Sequence, residues 1–191
     1  TQRDANMMRY LYHEYSHYLL RNHGWAYPRW FDEGFADFVS TVQFREGLAF
    51  VGAVTHSRAT VLASTTRMLP LVRLLGARTY PDEKAQFYAQ SWLLTHYLHT
   101  AHGFGERKLL ESMNEYLKLL NANERWERAF DRAFVLTPSD LEKRLVEHRE
   151  RVTKRGAVIA ARTVRIGTPA TEQRSLWKLG RHSAARRIGE A

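Results

Sequence analysis

The stretch LYHEYSHYLLRNHGWAYPRWFDEGFADF, residues 11–38, constrains this chain more than any other. Apolar residues recur in it at helical spacing, and Gly24 and Pro28 divide it, the glycine suiting the end of one helix and the proline the start of the next. So short a linker permits an antiparallel return, which sets the middle of each helix against the middle of the other. Polar residues stand in the facing stretches: His13, Glu14 and His17 on the first, Glu33 and Asp37 on the second. Carboxylates beside Phe31, Phe35 and Phe38 are costly to bury unpaired, so the pairing calls for a group that compensates them.

His13 and His17 are four residues apart, about 6 Å along a helix axis and about 40° around it, so both imidazoles can reach one ion. Glu14, one residue on, can approach a water at that ion without being a ligand, as a general base must. The plainer alternative is a chance H-E-x-x-H in a chain with nine histidines. A tetrahedral catalytic zinc needs a third protein ligand. His23, six residues past His17, would point about 240° around a helix that ran on to Gly24, and it reads as a helix-end residue near the negative pole of the dipole. Glu33 is the better candidate. Asp37 shares its face one turn on, where it can accept the remaining ring hydrogen of a ligand histidine. His56, His96, His99 and His102 lack ligand spacing and are expected on the surface or in the core.

Composition bounds the chemistry further. At 191 residues, 44% apolar and 12% aromatic, the chain can build one domain with a real core. It has no cysteine, which excludes disulfides, thiolate metal sites and a cysteine nucleophile, so any metal must sit on His, Asp or Glu. That absence suits cytosol and periplasm alike and leaves the compartment open, with a periplasmic or secreted location favoured. No apolar run is long enough for a membrane span, and TQRDANMMRY lacks the order of a signal peptide. The net charge is +9, but residues from Arg149 onward hold eleven basic against three acidic residues, leaving +1 for residues 1–148. The basicity belongs to the tail, which reads as solvated or as contacting an acidic partner; no nucleic-acid motif accompanies it, and no nucleic-acid binding is expected.

Helices are expected from about Asp4 to Gly24, from Pro28 through PRWFDEGFADFVSTV, from Asp82 to His102, and over 105–120 and 124–134. A last one is expected from a Thr137–Asp140 cap to Arg151. Residues 45–56 suit a short strand or loop, AVIAARTVRI a strand, and the end of the chain a basic amphipathic helix. Residues 1–150 therefore read as one domain and 151–191 as a basic appendage or the start of a further module.

HEYSH followed by WFDEGFADF resembles the gluzincin metallopeptidases, distantly similar to thermolysin and aminopeptidase N. With LPLVRLL and FYAQSWLLTHYL the likeness extends to peptidase MA-like domains over roughly residues 5–150. The resemblance implies a mainly α, α+β zincin-like catalytic domain with little strand and one Zn2+ held by His13, His17 and Glu33. It makes Glu14 the general base, Asp37 a carboxylate behind the ligands, and Tyr88, in YAQS, the donor to the oxyanion. The implied activity is zinc-dependent hydrolysis of a peptide or protein substrate. The gap from His17 to Glu33 is shorter than in thermolysin-like or aminopeptidase N-like enzymes. The β-sheet that gluzincins place before the active-site helix is not visible, so the chain reads as part of a longer, multidomain protein. The alternative is a noncatalytic zincin-like binding or scaffold module with a basic tail for an acidic partner; an intact Glu14 argues against it.

Overall fold

The computed structural model describes residues 2–45, 48–101, 108–154 and 162–165. Among these the chain is mainly helical, with eight helices and one small sheet: α1 Gln2–Asn22, α2 Arg29–Ser40, β1 Gln43–Arg45, β2 Leu48–Val51, α3 His56–Ser64, α4 Leu71–Leu75, α5 Lys84–Thr100, α6 Leu109–Asn121, α7 Trp126–Ala133, α8 Pro138–Lys154 and β3 Arg162–Arg165. None of the described helices is long and apolar enough to cross a membrane.

The turn between α1 and α2 follows from its residues. Gly24 takes φ +86°, which a side chain would oppose, just after α1 ends. Pro28 then opens α2, its carbonyl accepting from the backbone N–H of Phe31 and Asp32. The side chain of Asn121 on α6 accepts from Ala26 N at 2.8 Å and ties this turn to the body. Helix α1 packs on α2 alone among its substantial contacts, and Met7, Leu11, Tyr15 and Tyr18 on its other side are exposed.

Helix α5 is the axis of the molecule. From Phe87 to Thr100 it is buried on nearly every side, as expected of a helix without a polar face. Around it pack α2, α3, α4, α6 and α8. Helix α2 lies tight against it at Gly34, where an added Cβ would stand 2.3 Å from Ser91 O and 2.4 Å from Thr95 Oγ1. A glycine at this place therefore sets how deeply α2, with Glu33 beside it, sinks against α5.

The sheet runs β1-β2-β3, all antiparallel, with Ala49 opposite Phe44 on one side and Val164 on the other. Residues 162–165 thus join a strand from the first 150 residues. Of residues 45–56, expected as a short strand or loop, Leu48–Val51 form β2 and His56 begins α3. After β2 the Gly52 N–H reaches Phe38 O at 2.9 Å, and its missing side chain makes room for the Phe38 ring.

Two helices had no sequence signal. In α3 only Leu62 is buried, so no apolar stripe marks it; Thr55 caps it by accepting from Arg58 N. In α4, five residues long, the free Leu71 N–H donates to Glu142 of α8 at 2.7 Å. Thr137 and Asp140 form the expected reciprocal cap of α8. Asp82, expected to cap α5, lies outside it: the helix starts at Lys84 with no side-chain cap, and burial stabilises it instead. The expected C-terminal helix and His102 lie outside the described residues.

Candidate metal centre

Helices α1 and α2 bring His13, His17 and Glu33 together. The two Nε2 atoms are 3.1 Å apart, and Glu33 Oε2 lies 3.6 Å from each. A triangle with these edges has a point about 2.0 Å from all three corners, close to the Zn–N and Zn–O bond lengths of about 2.0–2.2 Å. Two imidazoles and a carboxylate at such spacing fit one divalent ion, and three protein donors are one fewer than close a tetrahedral site. His17 and Glu33 are buried and His13 is half-buried, so the donors are shielded from water on most sides.

Each imidazole is oriented from behind. Asp32 Oδ1 lies 2.8 Å from His17 Nδ1, and Asp37 Oδ1 lies 3.1 Å from His13 Nδ1. A carboxylate holding the Nδ1 hydrogen leaves the Nε2 lone pair of the neutral ring for an ion. Asp37 is itself anchored: its Oδ2 accepts from Arg58 Nε of α3 at 2.6 Å. Glu33 is held through its other oxygen, Oε1, which accepts a short hydrogen bond from the Tyr80 hydroxyl.

The charges respond to this crowding. Burial would raise the Glu33 carboxyl, yet hydrogen bonds from His13, His17 and Tyr80 outweigh it and hold the group well below the usual range. Burial likewise opposes charge on His13, but Asp37 and Glu33 lift it to about 9. Asp32, with Glu33 behind it, lifts His17 to about 10. Without a metal the cluster therefore holds protons where an ion's charge would serve the same carboxylates.

Glu14 ligates nothing; it lines a cleft of about 360 Å3 together with His13, Asp37, Arg58 and Tyr88. The Tyr88 ring stacks on Tyr80 with centroids 5.8 Å apart and lies under the Arg58 guanidinium. Burial raises its phenol above the ordinary value, so it stays a protonated donor at neutral pH. His23 stands away from the cluster, with its Nδ1 2.9 Å from the Tyr27 hydroxyl. His96 and His99 are core residues, and His56 is exposed at the start of α3.

Sequence reasoning missed Asp32, Tyr80 and Arg58. Asp32 had a signal, since it precedes Glu33 at the open end of the same helix. Tyr80 and Arg58 reach their carboxylates from 47 and 21 residues away, across loops with no periodicity to read. Comparison with protein families, curated proteins and solved structures finds no match to this chain.

Proposed function

We propose that this chain is a zinc metallopeptidase of the gluzincin type. The observation that carries the reading is the convergence of His13 Nε2, His17 Nε2 and Glu33 Oε2 at spacings that suit zinc, with His13 and its neighbour Glu14 both lining a cleft. A structural zinc site is closed by four protein ligands, whereas three with an accessible fourth position suit catalysis. Bound there, zinc would supply Lewis-acid polarisation of a scissile carbonyl and of an attacking water.

The residues around the site divide the remaining work. Glu14 takes the proton of the attacking water and returns it to the leaving amine nitrogen as the C–N bond breaks. Tyr88 donates its hydroxyl hydrogen toward the carbonyl oxygen as negative charge develops. Asp32 and Asp37 keep both imidazoles in the tautomer that binds through Nε2, and Tyr80 fixes the rotamer of Glu33.

The test is metal analysis combined with cleavage of a mixed peptide library. The wild type should retain about one chelatable zinc per chain and cleave peptides, while Glu14→Gln keeps the zinc and loses cleavage. A wild type that takes up no zinc removes the basis of the proposal. One that holds zinc but cleaves nothing favours the noncatalytic binding module.

A further inference from the structure

We infer that the cleft beside the candidate metal centre binds a substrate carboxylate on Arg58, making the preferred substrate a peptide with an acidic side chain or a free C-terminal carboxylate near the scissile bond. The chemistry of that substrate rests on the peptidase reading; the carboxylate site itself rests on the cleft.

At about 360 Å3 the cleft lies at the small end of ligand pockets, which run from about 300 to 1,000 Å3, and has room for a residue or two. No Leu, Ile, Val, Phe or Met lines it; Tyr10 and Tyr88 share its wall with charged and hydroxyl-bearing side chains. Its polar groups are the hydroxyls of Ser57 and Thr55, and the cations Arg9 and Arg58 against the anions Glu14 and Asp37. Asp37 is already engaged on both oxygens, with His13 Nδ1 at 3.1 Å and Arg58 Nε at 2.6 Å. Glu14 is assigned to the attacking water.

Arg58 is held but not saturated. Asp37 takes its Nε, and the Tyr88 ring lies 5.1 Å from its Cζ, which orients the guanidinium plane. Among the described residues its Nη1 and Nη2 make no hydrogen bond, although the side chain is only 20% exposed. A guanidinium fixed along one edge presents the other as a two-donor fork that matches a carboxylate. Its partners Tyr88 and Asp37 line the same cleft as His13, so a substrate anchored there reaches the reacting centre.

Four peptides of one sequence test this, with Glu or Gln beside the scissile position and an acid or amide C-terminus. Binding is measured by calorimetry on the full chain stripped of metal, and turnover on the zinc-loaded chain. The acidic forms should bind about tenfold or more tighter than their neutral counterparts; whether the gain follows Glu or the terminal acid identifies the carboxylate's source. Arg58→Met should lose the preference, and Arg58→Lys, which keeps the charge without the fork, should retain only part of it, with thermal unfolding checking that both fold. Equal binding of acidic and neutral peptides by the wild type overturns the inference, as does a preference unchanged in both variants. Cleavage with no acidic preference leaves the peptidase standing without the Arg58 site. An acidic preference in binding with no cleavage of any peptide leaves the site without the peptidase.

Discussion

Asp32 Oδ1 stands 2.8 Å from Nδ1 of His17, on the far side of the ring from the nitrogen that faces His13 and Glu33. The residue immediately before a candidate ligand on α2 thus orients a candidate ligand on α1, and the two helices cannot slide without breaking both contacts. Removing the carboxylate frees the ring and its tautomer. Asp32→Ala should weaken zinc binding by about 10- to 100-fold, read by competition with a chromophoric chelator. An affinity within twofold of wild type would mean that packing alone orients His17.

The two stacked tyrosines should separate in their effects. Tyr88→Phe removes the hydroxyl of a residue that lines the cleft and should lower turnover by about 100-fold or more at nearly unchanged zinc affinity. Tyr80→Phe removes the donor to Glu33 Oε1 and should act first on zinc affinity, in the same range as Asp32→Ala. Steady-state kinetics and chelator competition on both variants decide between this assignment and its reverse.

Gly34 pits helix propensity against space. Alanine is favoured over glycine by about 1 kcal/mol in a helix interior, but its methyl would stand 2.3 Å from a backbone oxygen of α5. Overpacking of that kind costs about 1–3 kcal/mol, and a backbone atom cannot swing aside as a side-chain end can. Gly34→Ala should therefore destabilise, lowering the urea midpoint, and weaken zinc binding because Glu33 moves with α2. A raised midpoint would show that α2 and α5 can part without loss.

One buried histidine of the core should contribute a loss of stability in acid. His148 of α8 is fully buried, with its Nε2 2.9 Å from His96 Nδ1 of α5. Burial, reinforced by the positive charge that His96 and Arg151 can carry, lowers its pKa to about 3. The unfolded chain binds this proton near the ordinary value of about 6.5. The contribution is therefore fully present above pH 6.5, falls as pH drops through that value, and levels off near pH 3. The slope approaches at most about 1.4 kcal/mol per pH unit. His13 and His17, lifted when no metal is bound, act with the opposite sign over the same range. The check is therefore the comparison of wild type with His148→Gln, both metal-free, by denaturant midpoints at pH 7 and 5. The wild type should lose more, or gain less, stability than the variant as the pH falls.

Much of the candidate site lies within the reach of a helix and was legible for that reason. Four residues along an α-helix fix two side chains on one face whatever surrounds them, so His13 and His17, or Glu33 and Asp37, were placed by spacing alone. The short turn at Gly24 and Pro28 then left one plausible way to bring the two faces together. No such rule reaches Tyr80, Arg58 or the cleft. Tyr80 lies in the segment between α4 and α5, and Arg58 on a helix with a single buried residue; their positions are set by how α2 and α3 pack on α5. The same holds for β3, whose pairing with β2 across more than a hundred residues is decided by an open strand edge. Local geometry is encoded by residue spacing; contacts across the core depend on which surfaces fit, and Gly34 against Ser91 shows how one missing methyl settles that fit.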